Sequence, residues 1–568
     1  MNLKELFLSA LVITLFSCKS DVPAKDTASV AVVREWSPDD TRSLSGVTAD
    51  RGLIYNSEMG ADGYVLYEPS NGTLTFLLNK QGEVVHTWAS DLNSMNSYLQ
   101  PNGHLIRMER DENFPTFAAG GQSGRIREYD WDGNILWDFK YYNEKELTHH
   151  DIEIMPNGNI LAISYDALTP KEAEMAGKDP EHIPKAGIWL DKIIEIQPIK
   201  PNDGKIVWEW RMQDHLIQDL DDTKNNYGVV AENPGKININ TASAEAGPPM
   251  TEEQVANMKK MGFMTSNATV DNRGSDIAHT NAVSYSPGLD QIAISVPGFG
   301  EIYVLDHSTT TAEAKGSTGG KYGHGGDLLY RWGNLANYGK GAKEDQILHG
   351  QHDVKWIPKG YPGEGKLMVY NNDIPHPDNK FPSMWAALGG ANTPEMNVKI
   401  GDVGNYSAVY EWAIPTNDKG NYTFDENGAF GPAEPDWSYI APDKYSFYSA
   451  FISGAQRLKN GHTLITQGMQ GRFIEIDENK EVVWEYWNPY KYDYKLPDGS
   501  VSQPVGPFIY GVFRSTFYQK DYPGLSGKDL KPIKPQPEPF VFKMPPPPEP
   551  EFRQGSETYK TTTRALCF

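Results

Sequence analysis

The sequence predicts an all-β fold: a β-propeller of about six blades, with long loop insertions and an extended proline-rich C-terminal tail. Three observations predict it. A strand–turn–strand unit built on a Pro-Asn-Gly turn recurs along the chain, apolar residues alternate within each copy, and a tryptophan-bearing strand closes successive copies. The turn is clearest at Pro101-Asn-Gly103 and Pro156-Asn-Gly158, and it returns as Lys459-Asn-Gly461. Asn-Gly supplies the positive φ that tight hairpins need, and alternation makes a half-buried strand. The closing motifs lie near Trp88, Trp137, Trp210, Trp332, Trp412 and Trp484. Each copy reads as a four-stranded antiparallel blade that cannot bury both faces alone, so the copies must stack.

Spacing between copies is irregular, which places long insertions outside the blades. Thr169 to Lys185 is charged. Gln213 to Thr269 carries an expected helix from Thr251 to Met261, and Ile374 to Val403 is rich in Pro, Asn and Gly. Loops of that size commonly wall a binding site. The tail from Lys528, with its run Pro545 to Pro548, should be extended polyproline wrapping the surface, or disordered. The expected division is 1–18 signal segment, 19–50 tether and first strand region, 51–525 catalytic propeller and 526–568 tail.

The N-terminus reads as an export signal. An apolar run from Leu6 to Phe16 is too short to span a bilayer permanently. It ends in Leu15-Phe-Ser-Cys18, which resembles the bacterial lipoprotein box, so Cys18 is the expected lipidation site. The lipid would be the sole membrane attachment, which places the protein in the envelope of a Gram-negative bacterium. The other cysteine is Cys567, so a lipidated chain has no internal disulfide. A net charge of −23 without any Lys/Arg stripe argues against nucleic acid as a partner.

Chemistry is expected from histidine. Only 13 occur, yet His150 and His352 stand at one position of the repeat, six residues before the turn, each followed by Asp. A third blade offers either His279 or Asn281 for that slot, and Ser453 fills it in a fourth. Residues that open inner strands should line one rim of the channel. Clustered imidazoles serve as acid, base or nucleophile near neutral pH. No cofactor is expected, with a metal held by His150, His279 and His352 as the open alternative, unsupported by any local His-Glu-x-x-His spacing. Gly316 to Gly326 is glycine-rich without phosphate-loop spacing, and no Gly-x-Ser-x-Gly elbow occurs. Trp385, Tyr406, Tyr445 and Tyr448 are expected in loops near the rim.

The segments His279 to Tyr285, Tyr330-Arg-Trp-Gly-Asn334, Gly350-Gln-His-Asp353 and Tyr370-Asn-Asn372 resemble the bacterial arylsulfotransferase family. That resemblance implies an exported six-bladed propeller moving sulfuryl groups between phenols through a sulfated histidine, with His279 and His352 in the active site. Two positions depart from it. Ala408 stands where the family's arginine would fall, and the strand Phe451 to Gln456 carries no histidine. The build also resembles lipoproteins of marine bacterial glycan breakdown, among them oligosaccharide dehydratases of ulvan systems.

Histidine bases without a covalent nucleophile suit elimination on an acidic oligosaccharide, sulfated ones included, giving an unsaturated uronic acid. On this reading His150, His279 and His352 supply base, acid and alignment. Tyr406 or Tyr448 would donate a proton or bind substrate, and Arg457 would clamp the carboxylate from the strand face of Ser453. The alternative is nucleotide-independent aryl sulfotransfer with His352 or His279 as nucleophile. A non-catalytic glycan-binding lipoprotein is the third reading.

Overall fold

Alternating apolar residues and Asn-Gly turns fold here into short antiparallel strands whose inward side chains meet those of the next sheet. A computed structural model of the chain describes residues 51–241, 251–260, 266–375, 405–442, 444, 447–491 and 509–541. Cys18 and segments 1–18 and 19–50 lie outside the described residues. So do Trp385, Tyr445, most of the Ile374 to Val403 insertion and the run Pro545 to Pro548.

After β1 (Gly52–Asn56), β2 (Gly63–Pro69), β3 (Leu74–Asn79) and β4 (Val84–Ala89) begin the first blade. The second holds β5 (Asn93–Leu99), β6 (Leu105–Arg110), β7 (Gly124–Tyr129) and β8 (Ile135–Lys140). The third holds β9 (Glu146–Ile154), β10 (Ile160–Leu168), β11 (Ile188–Ile199) and β12 (Asp203–Arg211). A parallel pair, β13 (Leu216–Ile217) and β14 (Ile237–Asn238), stands in the following insertion. The fourth blade holds β15 (Ala282–Ser286), β16 (Gln291–Val296), β17 (Glu301–Asp306) and β18 (Tyr330–Trp332). The fifth holds β19 (His352–Trp356), β20 (Leu367–Ile374), β21 (Tyr406–Trp412) and β22 (Trp437–Tyr439). The sixth holds β23 (Gly454–Arg457), β24 (Thr463–Gln467), β25 (Arg472–Ile476) and β26 (Val482–Trp487).

Closure uses both ends of the described chain. β27 (Val512–Gln519) pairs with β2 as the innermost strand of the first blade, while β1 pairs with β26 on the outer edge of the sixth. The ring is therefore six-bladed. Apolar packing follows the same order, with one buried cluster at each of the six seams between neighbouring blades.

Tryptophans lock five of these seams. Indole N–H groups reach the next blade from Trp88 to Asp130 O (3.0 Å), Trp137 to Asp203 O (2.7 Å) and Trp210 to Gly326 O (2.7 Å). Trp332 reaches Pro432 O (2.7 Å) and Trp484 reaches Lys80 O (2.9 Å). Trp412 differs from the expectation. It lies on the third strand of its blade and bonds backward to Tyr330 Oη (3.0 Å), because β22 is the outer strand there.

Short helices occupy the insertions. α1 (Pro170–Met175) starts at a capping box in which Thr169 and Glu172 satisfy each other's backbone, with Pro at its first turn. α2 (Glu252–Lys260) falls inside the predicted 251–261 helix, and α3 (Thr311–Ala314) repeats the capping box with Thr310 and Glu313. The tail through residue 541 is extended and docked. Gln536 bonds both the N–H and the carbonyl of Val84, and Phe540 N–H reaches Pro489 O.

A charged hub fills the channel. Arg514 on β27 contacts Asp151 Oδ2 at 2.7 Å and Asp353 Oδ1 at 2.8 Å, and all three side chains are at most 2% exposed. Asp151 also accepts from Asn96 (2.9 Å), Tyr98 (2.6 Å) and the Val283 N–H (3.2 Å), and Asp353 accepts from the Ala455 N–H (3.0 Å). Lys355 adds a second cation on Asp353 at 3.1 Å. Burial and then Asp151 push Glu153 up to about 8, so near neutral pH two cations face two anions. Removing one partner of such a group leaves buried charge uncompensated. Arg514→Met is expected to lower the unfolding free energy by about 3–5 kcal/mol, read from urea transitions. An unchanged midpoint would show the hub to be dispensable.

Candidate active site

The hub carboxylates sit immediately after two of the predicted histidines, and that adjacency builds the site. With Asp151 drawn into the channel, His150 takes a left-handed backbone (φ 58°), and His279 does the same (φ 55°). Left-handed φ is uncommon for any residue with a Cβ and costs about 1–3 kcal/mol, so it concentrates where function over-determines the backbone. In the fifth blade the left-handed residue is Asp353 (φ 62°), not His352. The sequence slot is shared, but the bulge falls one residue later, and His352 faces differently as a result.

The rings of His150 and His279 stand edge-to-face with centroids 4.5 Å apart. Phe513, next to Arg514, lies 6.2 Å from the His150 ring and 6.4 Å from that of His352. The three histidines thus gather at one mouth of the channel, around the phenyl ring above the hub. Gly121 (φ 77°) covers His150. A Cβ there would come within 2.2 Å of the ring's Cε1 and Nε2, so the position needs glycine for space as well as for backbone.

The three rings differ in their partners. His279 Nδ1 is 2.5 Å from Asp276 Oδ2, and Tyr165 Oη donates to that oxygen at 2.9 Å. Burial opposes the charged imidazole, yet the Asp276 charge and hydrogen bond outweigh it and raise the His279 pKa. His150 Nδ1 is 2.7 Å from His149 Nδ1, and burial, then His279 and His149, hold His150 well below the ordinary imidazole range. No hydrogen bond engages the Nε2 of His150 or of His279 among the described residues; the His279 side chain is 31% exposed, whereas His150 is buried beneath Gly121.

His352 is engaged on both sides. Its Nδ1–H donates to Gly350 O and Asn372 Oδ1, each at 2.9 Å, and its Nε2 accepts the Ile452 N–H at 3.1 Å. Burial pushes its pKa down to about 3 against the Asn372 bond. The ring is a neutral strut for the wall, with no nitrogen left for proton transfer. It also follows that the three histidines do not offer three lone pairs to one metal ion. Among the described residues no group of three or more His, Cys, Asp or Glu could hold one.

The other predicted residues lie elsewhere. Arg457 is four residues along β23 from Ser453, about 13 Å at the strand rise. It sits at the hairpin end, held by Glu411, Gly461 O and Thr463 Oγ1, and does not reach the histidines. Strand alternation puts it on the face of Ser453 but at the wrong height. Tyr448 donates to Asp373 Oδ1 at 2.7 Å, and burial, then Asp373, raise its phenol well above the ordinary value. Tyr406 opens β21 half-buried, with the Lys444 ammonium 4.5 Å from its ring centroid. Neither tyrosine bonds a histidine of the mouth. Ala408 is fully buried in β21 opposite Asn371.

Sequence reasoning missed Asp276, His149, Asp191, Tyr165 and Arg514. Asp276 stands three residues before His279, and His149 adjoins His150, so both carried a local signal. Asp191, Tyr165 and Arg514 come from other strands and carried none.

Six blades around a charged hub, with a carboxylate-backed imidazole beside a neutral one at the channel mouth, define a β-propeller with an enzyme-like centre. The chain belongs to the arylsulfotransferase (ASST) family, whose profile matches residues 56–495. No curated protein matches it at a significant level. Among solved structures, it is similar to a Bacteroides caccae protein of unknown function (11% identity, 78% of this chain and 97% of that one, TM-score 0.36). It is also similar to the Myceliophteria thermophila Cps50 (Swd1) β-propeller domain (8%, 78% and 91%, 0.33) and to virginiamycin B lyase from Staphylococcus aureus (11%, 78% and 86%, 0.29). The blade count rests on the sheets themselves.

The depressed His352 pKa has a stability consequence. The unfolded chain protonates this ring near 6.5, the folded protein only near 3. Its contribution is complete above pH 6.5 and declines by about 1.4 kcal/mol per unit as pH falls toward 3. His352→Gln should therefore lose less stability than the parent between about pH 7 and pH 4.5 in urea melts. Equal losses would place the folded His352 near its ordinary value.

Proposed function

We propose that this protein is an exported, lipid-anchored enzyme that uses His150 and His279 as a base–acid pair, with nucleotide-independent aryl sulfotransfer as its reaction. One observation carries the reading within the family. Two adjacent imidazoles with unengaged Nε2 atoms have pKa values pushed in opposite directions, which separates an electron-pair donor from a proton donor. The His150 Nε2 lone pair attacks the sulfate ester's sulfur as the S–O(aryl) bond breaks, and His279 Nε2–H gives its proton to the departing phenolate. An acceptor phenol then returns a proton to His279 as its oxygen attacks sulfur and the N–S bond breaks. Asp276 stabilises the His279 imidazolium at both stages. His150 replaces the expected nucleophiles because His352 has no free nitrogen and His279 is the better acid.

A second reading is favoured by the two departures, Ala408 in place of arginine and Ser453 in a strand without histidine. The same pair would then eliminate across a uronic-acid ring of an acidic oligosaccharide. His150 takes the C5 proton, His279 protonates the leaving oxygen at C4, and an unsaturated uronic acid results.

Two assays on the purified protein separate the readings. With 4-nitrophenyl sulfate, transfer predicts nitrophenol release that requires an added phenol and falls at least about 100-fold in His150→Gln and His279→Gln. No release, together with a rise in the ultraviolet band of a conjugated uronate on acidic oligosaccharides, would replace transfer by elimination. The anchor is tested separately. Radiolabelled palmitate should enter the full-length protein in a bacterial envelope and not Cys18→Ala, and label retained in that variant would refute lipidation at Cys18.

A further inference from the structure

The reaction above leaves one buried histidine unused. His149 is fully buried, its ring stacked on Tyr165 with centroids 3.8 Å apart. Its Nε2 lies 3.1 Å from Asp191 Oδ1, and Asp191 Oδ2 accepts the Thr280 N–H at 2.7 Å. Its Nδ1 lies 2.7 Å from His150 Nδ1. A carboxylate, an imidazole and a second imidazole therefore form one chain, with His150 Nε2 at the outer end. Thr280 is the neighbour of His279, so the same carboxylate is tied to both halves of the pair.

Counting protons along this chain gives its state for a neutral His149. A carboxylate only accepts, so His149 Nε2 carries the hydrogen that faces Asp191. Two ring nitrogens 2.7 Å apart share a single hydrogen. When His149 is neutral its Nδ1 is a lone pair, so that hydrogen belongs to His150 Nδ1. His150 Nε2 is then unprotonated. Reversing the first bond reverses the last: an Nε2 acceptor on His149 puts its hydrogen on Nδ1, makes His150 Nδ1 the acceptor and leaves a hydrogen on His150 Nε2.

We propose that Asp191 and His149 are positioning residues that select the Nδ1–H tautomer of His150 and so keep its Nε2 lone pair available for reaction. The inference rests on the assignment of His150 as the reacting electron-pair donor, although the tautomer itself is independent of which reaction follows. Tyr165 links the two arms. It stacks on His149 and donates to Asp276, so one ring fixes the orientation behind both reacting histidines.

The test is Asp191→Asn. The amide oxygen can keep the Thr280 N–H while the amide nitrogen, now a donor, faces His149 Nε2 and inverts the chain. Histidines are labelled with ¹⁵N in the full protein, and the His150 signals are assigned by their loss in His150→Gln. In the parent near neutral pH, His150 Nε2 should appear as an unprotonated, pyridine-type nitrogen, and in Asp191→Asn as a protonated, pyrrole-type one. Loss of the proper tautomer in a His–Asp system has cost about 10⁴-fold in kcat, so a fall of roughly 10³-fold or more at similar KM is expected here. A pyrrole-type Nε2 in the parent overturns the proposal without any variant having to fold. An unchanged tautomer in a folded Asp191→Asn protein overturns it as well. Inversion of the tautomer with full activity would uphold the selection by Asp191 and His149 while refuting His150 as the reacting group.

Discussion

Arg514 between Asp151 and Asp353 is the interaction on which the rest of the architecture depends. It lies on the strand that closes the first blade, and its two carboxylates come from the third and fifth. Asn96 and Tyr98 bring in the second blade, the Val283 N–H the fourth and the Ala455 N–H the sixth. Burial alone would disfavour the guanidinium charge, but Asp151 and Asp353 outweigh that cost and hold it firmly protonated. A propeller with apolar seams could slide blade on blade with little penalty. The hub ties all six inner strands to one buried charge cluster, and the residues at the channel mouth adjoin it.

Blade architecture was readable because it is local and repeated. The Pro-Asn-Gly turns, the alternation and the tryptophans all sit within a few residues of the structure they specify. Closure was not readable, because β27 reaches β2 from more than 400 residues away and carries neither the turn nor the tryptophan. Trp412 shows where a repeat misleads, since a large insertion before β22 moved the outer strand and left the motif one strand inside. The segment Tyr330 to Asn334, among the most specific marks of the family resemblance, is a seam. Arg331 is buried against Glu301, and Tyr330 and Trp332 bond carbonyls of the next blade.

At the site, the sequence located His150 and His352 by their slot, and His279 beside Asn281 in a third blade, but not their chemistry, because chemistry depends on what each Nδ1 meets. His279 meets a carboxylate three residues upstream, His150 another imidazole, and His352 a carbonyl and an amide. Of these partners, Asp276 and His149 are close in sequence. Asn372 comes from a neighbouring strand, and Asp191 behind His149 comes from two strands away. Arg457 failed for a geometric reason, since sharing a strand face with Ser453 says nothing about height along the strand.

Stability and chemistry occupy adjacent residues on the same strands. Asp151 and Asp353 point into the hub, while His150 and His352, one residue earlier, stand at the mouth. The left-handed turns at His150 and Asp353 each cost about 1–3 kcal/mol, a sum that the several charge-assisted bonds of the hub can offset at about 1.5–3 kcal/mol apiece. The hub therefore carries the strain that aims the mouth. Substituting a mouth residue leaves those bonds intact, which is why a slot can hold His150 in one blade and Ser453 in another within one stable ring. The fold conserves the height and aim of the slots, and the side chain that fills each slot, with the partner behind its inner nitrogen, decides whether it gives an electron pair, gives a proton or holds the wall.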